Sequence, residues 1–322
     1  MADTSPARGR WAFRPVPPEP RSIVELIRGG TLDFELAATL WLLVEGGVPI
    51  LVAGEGRGTG KSTLLGALLD FVPAEIRIIE LAGAAETFDW LPQATELGWP
   101  AAARQASTRP ASAGDRPVIK PDTTLLLAAE LSDYQPACTW GAAARLAVRA
   151  ASIGYGLAAT IHADSLDAVF DELRPRPVGL TDDELSHLGV VLVLRRLDGE
   201  RRRGDSGRRR VVAAHYVRPV SRDVHGHVQR LGPAVLATWD PSADRLDHFG
   251  WGVTPELAAR IGRRAGDFEI EAAARRAVLE GLAASGVIDP DRVRAAVADY
   301  RRSATSIGRP TPAHPPATPA PN

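Results

Sequence analysis

An α/β chain with a mainly parallel, helix-covered sheet is the fold class that this sequence predicts, and three observations predict it. The apolar run at 48–53 leads straight into a glycine-rich turn and a Lys-Ser pair, the order of a buried strand, a phosphate-binding loop and a helix start. Short apolar runs of β character recur at 77–81, 124–128, 157–161 and 190–194, separated by helical or loop stretches. From residue 254 onward the pattern turns helical, which adds a cap to the sheet.

Taken in order, Ile23, Leu26, Ile27 and then Leu36, Leu40, Leu43 and Val44 keep helical spacing. Gly29-Gly30 splits them into two helices expected to pack on the strand before the glycine-rich turn. Residues 62–71 read as the helix whose N-terminus faces that turn. After the run at 190–194, Arg201-Arg202-Arg203 and Arg208-Arg209-Arg210 flank a Gly-Asp-Ser-Gly turn, and 211–220 reads as a strand, so a hairpin with a basic tip is expected. Thr254-Pro255-Glu256 and Asp289-Pro290 read as N-caps followed by an N1 proline, with Leu257, Ile261, Val293 and Val297 on the buried faces. Both ends are rich in Pro, Ala, Ser and Thr and are predicted to be disordered. The expected organisation is a Pro-rich lead at 1–21, an α/β core at 22–200, a hairpin or ribbon extension at 201–252, a helical region at 253–302 and a Pro-rich tail at 303–322.

The chemistry is concentrated at the carboxyl ends of the predicted strands. In Gly54-Glu55-Gly56-Arg57-Gly58-Thr59-Gly60-Lys61-Ser62-Thr63 the glycines let backbone N–H groups turn onto phosphate oxygens, Lys61 supplies a mobile positive charge, and the Ser62 hydroxyl can complete a magnesium shell. Gly56, Gly58, Thr59, Gly60, Lys61, Ser62 and Thr63 are the expected phosphate contacts. The strict eight-residue pattern places its first glycine at position 55, which is Glu55. A carboxylate aimed into the loop there would cost roughly 4 kcal/mol at about 4 Å in an effective dielectric near 20; aimed at solvent it would cost little. Glu130, at the end of a buried-type strand at 123–130, is the candidate acid for magnesium or water, with a solvated strand end as the bland alternative. His162, ending the strand in Gly156-Leu157-Ala158-Ala159-Thr160-Ile161-His162, places an imidazole at the same edge, within reach of a terminal phosphate.

Charge and cysteine content bound the partners. The chain has 322 residues, with 38 Lys and Arg against 39 Asp and Glu, a formal net charge of -1. That balance gives no global basic field to argue for nucleic acid or an anionic membrane surface. The arginine triplets carry no interleaved aromatics for base stacking and read as a solvated loop, so no direct nucleic-acid binding is expected. The single cysteine, Cys138, cannot form an internal disulfide, which fits a reducing cytoplasm, and it reads as a bystander. No Cys/His cluster has zinc spacing. The first 21 residues lack the apolar segment of a signal peptide, and no run reaches membrane-span length.

Together, the loop after Pro49-Ile50-Leu51-Val52-Ala53, the strand ending in Glu130, and Ala159-Thr160-Ile161-His162-Ala163-Asp164-Ser165 resemble the type II/type IV secretion and type IV pilus motor ATPases. The Thr-Ile-His-Ala-Asp-Ser string is similar to that family's histidine box. The likeness runs from residue 22 to about 302: Val211-Val212-Ala213-Ala214-His215-Tyr216-Val217 resembles its β-ribbon, and Leu236-Ala237-Thr238-Trp239-Asp240 with the helices to Arg302 resembles the archaeal-type branch. The resemblance implies a RecA-like P-loop NTPase core binding ATP and Mg2+, assembled as a homo-hexamer or as a mixed ring with a paralogous ATPase. It also implies a cytoplasmic protein peripheral at the inner face of the cell membrane, on an inner-membrane platform protein. Carried over by position, Lys61 and Ser62 contact phosphate and magnesium, Glu130 is the Walker B acid, also at the metal, and His162 is the histidine-box sensor.

The chain departs from the family pattern in several places. The acidic pair of the family's aspartate box falls on Ala82 and Gly83, leaving Glu86 as the matching downstream acid. Position 132, an arginine in the family, is Ser132, the first histidine and aspartate of the histidine box fall on Gly154 and Tyr155, and an arginine pair falls on Asp171 and Glu172. Glu80 could replace the missing acid if its strand slipped by two residues, which keeps the same face. Two further readings stay open: a non-hydrolysing nucleotide-binding subunit paired with an active paralogue, and a nucleic-acid-handling protein using the arginine-rich hairpin.

Overall fold

The structure is a computed structural model that describes residues 19–100, 119–197, 207–222, 225 and 227–306. The Pro-rich stretches at 1–18 and 307–322 and the triplet Arg201-Arg202-Arg203 lie outside the described residues. One eight-stranded sheet runs β10-β9-β6-β5-β1-β4-β3-β2. Its strands are β1 (Ile50–Ala53), β2 (Arg77–Glu80), β3 (Thr124–Leu131), β4 (Gly156–Ile161), β5 (Val190–Leu197), β6 (Arg208–Tyr216), β9 (Ala234–Asp240) and β10 (Arg245–His248), while β7 (Ser221–Arg222) and β8 (Val228–Gln229) form a small separate ribbon. Strands β2, β3, β4, β1 and β5 are parallel neighbours; β6, β9 and β10 continue the same sheet antiparallel. In this order β4 stands between the strand before the glycine-rich turn and the strand that ends near Glu130.

The strands read as continuous apolar runs because both faces are covered. Along β1, Ile50 and Val52 join one core with Leu125, Leu127, Val190 and Leu192, whereas Leu51 and Ala53 join the other with Leu126, Ala128, Leu157 and Ala159. The first face is covered by α1 (Ile23–Arg28), α2 (Phe34–Glu45), α3 (Lys61–Leu68) and the C-terminal helices α7 (Thr254–Arg260), α8 (Ala265–Ala284) and α9 (Pro290–Ser306). The second is covered by α4 (Ala142–Ser152) and α5 (Leu166–Leu173), with the short α6 (Asp182–Leu185) beside them. Ser22 caps α1 and Asp33 caps α2, each accepting from the third residue on. Thr254 differs from its expected cap position: a 3-10 turn at Gly250–Val253 runs into α7, so Thr254 becomes its first residue and its hydroxyl donates to the Gly250 carbonyl. The helix expected over 62–71 tightens into a 3-10 turn at Leu69–Phe71.

The C-terminal helices are held by a buried ionic network as well as by Phe268, Leu279, Val293 and Val297. Arg275, its side chain 4% exposed, donates to Glu45 at the end of α2 at 3.0 Å and to Glu271 at 3.1 Å. Arg263 pairs with Glu271 at 3.2 Å, Arg301 with Glu45 at 3.3 Å, and the Trp41 indole N–H donates to Glu45 at 2.8 Å. The Arg275 guanidinium also stacks over Trp41 and Tyr300. Removing the central cation would leave Glu45 and Glu271 with one cation each, so Arg275→Ala is expected to lose about 3–5 kcal/mol in chemical denaturation; a loss below about 1 kcal/mol would show that Arg275 adds little to the apolar packing and the remaining pairs.

At the other end of α2, His248 of β10 meets the Asp33 carboxylate at 2.7 Å, with Glu35 at 3.6 Å. Burial works against the charged imidazole, but the hydrogen bond and charge of Asp33 prevail and raise the His248 pKa above 6.5. His187 goes the other way: burial, helped by Arg260, pushes it down to about 4. The folded state therefore favours the charged His248, and this stabilisation is lost as pH rises through its raised pKa. Between about 6.5 and 4 the unfolded chain protonates His187 first, so stability falls as pH drops through that window. Denaturation midpoints measured from pH 4 to 9 are expected to pass through a maximum, and His248→Gln is expected to flatten the alkaline limb.

Candidate functional site

The loop between β1 and α3 turns three times through left-handed backbone, at Gly56 (φ 78), Gly58 (φ 78) and Gly60 (φ 99). Side chains rarely adopt these angles, so the glycines are what let the loop fold back over the helix start. Gly60 is the N-cap of α3, and no side chain caps that helix. Its first turn thus presents backbone N–H groups at the positive end of the helix dipole, where an anion is stabilised. Lys61 is the first helical residue, 8% exposed, and its ammonium donates to the Gly54 carbonyl at 2.9 Å and the Gly56 carbonyl at 3.5 Å. Ser62 and Thr63 follow in the same turn and line the same cleft. Thr59, expected as a phosphate contact, is buried, and its hydroxyl braces the loop by donating to the carbonyls of Glu55 and Gly56. Glu55 is exposed and outside the cleft lining, so the inward-facing repulsion considered from the sequence does not arise.

Opposite the loop, β3 and β4 bring Glu130 and His162 to the same edge. The β3–β4 register slips between Ala128↔Ala159 and Leu131↔Ile161, so Ala129 and Glu130 together face Thr160. A bulge of this kind re-aims a side chain at the end of a strand. The Thr160 hydroxyl holds it in place by donating to the Ala129 carbonyl at 2.7 Å, and Glu130 lines the cleft. Just past β4, His162 accepts the Gly56 N–H on Nε2 at 3.2 Å, which requires a neutral ring carrying its proton on Nδ1. The imidazole therefore takes up a loop N–H that a phosphate oxygen could otherwise accept. Tyr134 packs edge-on against it, ring centroids 5.8 Å apart.

The cleft encloses about 1070 Å3 and gathers Gly56, Gly58, Thr59, Gly60, Lys61, Ser62, Thr63, Glu130 and His162. It also contains residues that the sequence did not mark. Arg209 of β6 reaches across to donate to the Gly58 carbonyl, from Nε at 3.3 Å and Nη2 at 3.0 Å. Cys138 and Tyr134, from the loop after β3, and Arg21, before α1, also line the cleft. The second arginine triplet does not form the solvated loop expected of it. Arg210 is buried and bonds Asp244 at 2.8 Å, and Arg208 stands 3.7 Å from the same carboxylate.

The acids considered as substitutes for the missing pair stand elsewhere. Among the described residues lining the cleft, none comes from 77–86. Glu86 is buried and accepts from the backbone N–H groups of Ala82, Thr87 and Phe88 and from the Trp90 indole, which makes it the brace of its own turn. Glu80 pairs in register with Leu127, without the slip that would bring it forward. At Gly83 (φ 62) the Pro136–Ala137 backbone packs so closely that a Cβ would collide with it, leaving no room for a carboxylate side chain at that position.

No family model matches the chain. It is similar to uncharacterized protein MJ0900 of Methanocaldococcus jannaschii, 25% identical over 297 residues that make up 91% of this chain and 51% of that protein. Uncharacterized protein MJ1287 of the same organism is 28% identical over 177 residues, 54% of this chain and 61% of its own. The chain thus spans about half the length of the first of these relatives. Among solved structures, that of the VirB11 ATPase from the Brucella suis type IV secretion system, in complex with sulphate, aligns over 64% of this chain and 52% of its own, with 21% identity and a TM-score of 0.31.

Proposed function

We propose that this chain binds ATP with magnesium in the cleft and hydrolyses it slowly, as a motor ATPase of a secretion or pilus-assembly machine. The observation that carries the reading is Lys61 held at the uncapped N-terminus of α3 inside a left-handed glycine loop, with Glu130 and His162 brought to the same edge. A cation at the positive end of a helix is unfavourable by itself, and the arrangement becomes favourable once an anion bridges the two. The loop N–H groups and Lys61 would hold the phosphates; Ser62 and Glu130 are the residues that would hold magnesium. When bound, magnesium would neutralise charge on the transferring phosphate.

Glu130 is also the cleft-lining carboxylate on the core strands, placed to take the proton of an attacking water at its Oε atoms. His162 would release the Gly56 N–H to the terminal phosphate and so couple β4 to the state of the nucleotide. The motor role rests on the histidine-box likeness; ring assembly, a paralogous partner and docking on a membrane platform follow from the same resemblance. Peripheral attachment belongs to the same resemblance; no helix among the described residues is long and apolar enough to cross a membrane.

A second reading is a nucleotide-binding subunit without turnover in a mixed ring. Gly83 and the self-bonded Glu86 favour it, since they remove two positions for a water-orienting base. The arginine-rich hairpin lends little to a nucleic-acid reading, with Arg208 and Arg210 committed to Asp244.

Calorimetric titration and steady-state phosphate release separate these readings. Lys61→Ala is expected to weaken ATP binding about 10- to 100-fold, and unchanged affinity would end the phosphate-loop assignment. Glu130→Gln is expected to cut turnover by about two to four decades while leaving binding within a few-fold. His162→Ala is expected to slow turnover more than it weakens binding. Wild-type protein that binds ATP without turnover would select the second reading.

A further inference from the structure

Arg209 is a cleft residue to which the function above gives no task. Arg210 turns the other way, onto Asp244, and Arg208, also in the cleft lining, stands 3.7 Å from the same carboxylate, while the stem of Arg209 lies against the N-cap of α3: a Cβ on Gly60 would stand 2.8 Å from its Cδ. The guanidinium is held by neutral oxygens, those of Gly58 and, at 3.5 Å, Gly207. Burial, reinforced by the nearby cations Arg196 and Arg21 and opposed by Glu19, lowers its pKa. A half-buried planar fork set among like charges and bonded to carbonyls is weakly compensated, and an oxyanion is the partner that such a fork fits best. The Gly58 carbonyl it now holds belongs to an exposed residue, so water can replace the arginine there at little cost.

Resting on the nucleotide reading above, we propose that Arg209 is a phosphate-binding residue whose guanidinium passes from the Gly58 carbonyl to the phosphate oxygens of a bound nucleoside di- or triphosphate. The site then holds the polyphosphate from two sides of the loop, through the Gly56 N–H that His162 gives up and through Arg209 beside Gly58. Recognition is accordingly directed at the charged chain of the ligand, and pyrophosphate is a minimal probe of it.

The test is calorimetric titration of ATP, ADP and pyrophosphate into the wild-type protein, Arg209→Ala and Arg209→Lys, with ligand-free melting curves for all three. Arg209→Ala is expected to weaken all three ligands about 10- to 100-fold at an unchanged melting temperature, with Arg209→Lys intermediate because it keeps the charge and loses the fork. Wild-type affinity in Arg209→Ala would overturn the proposal while leaving the nucleotide reading intact. A loss accompanied by lower melting temperatures in both variants would make Arg209 a brace of the loop and also overturn it. Failure of the wild-type protein to bind any of the three would instead remove the nucleotide reading, and this proposal with it.

Discussion

A lysine pinned against the positive end of a helix is the constraint around which the carboxyl edge of this sheet is organised. For folding alone, Ser, Asp or Asn would suit the N-cap position that Gly60 holds and an acid would suit the first turn that Lys61 opens, since a cation opposes the positive end of a helix. Its ammonium is instead drawn onto the carbonyls of Gly54 and Gly56, and three glycines accept left-handed backbone to bring those carbonyls around. The neighbours follow from this. Thr59 gives up its hydroxyl to stiffen the loop, and His162 occupies an N–H that the loop would otherwise present. The local choices sacrifice stability in one place, which is what a binding site looks like in an otherwise consistent fold.

Position along β3 matters as much as residue type. Without the extra residue between Ala128 and Leu131, the alternation of the strand would carry on unbroken to its end, and Glu130 would be set by the same pleat that buries its apolar neighbours. On the adjacent strand the acid-bearing options were closed by packing. The 136–137 backbone lies against Gly83, and Glu86 spends both carboxylate oxygens on its own turn. Restoring an acid to the cleft from that side would require moving a loop as well as changing a residue.

The sheet, the loop and the Glu130 and His162 positions were legible in the sequence because each rests on local signals: continuous apolar strands, a glycine spacing, a polar residue at a strand end. The role of Arg209 was not legible, for a reason that can be located. The β5–β6 pairing passes from Val193↔Ala213 to Leu194↔Val211, so Val212 is an extra residue, and it sets which of the three arginines face the loop. A slip of one residue exchanges the faces of a strand, and nothing in Arg208-Arg209-Arg210 announces a bulge two residues beyond it. Cys138 and Tyr134 escaped similarly, since a loop's approach to a cleft is a property of tertiary packing. The C-terminal ion network was equally silent, its partners Glu45 and Arg275 being 230 residues apart.

The covering of the first sheet face has a consequence for the order in which the chain can mature during synthesis. That face is shared by helices from the beginning of the described chain and from its end, and the Ser22 hydroxyl at the start of α1 donates to the carbonyl of Ile288 at 2.6 Å. As the polypeptide leaves the ribosome, α1, α2 and the strands emerge with their second-face cover, α4 and α5, well before α7 to α9 exist. At about 5–20 residues per second, the roughly hundred residues from β6 to α9 take about 5–20 s to appear, and for that interval Trp41 of α2 lacks its Arg275 and Tyr300 partners. A nascent chain of this design presents one sticky side to its surroundings until α7 to α9 close over it, which makes these helices a seal on the first sheet face.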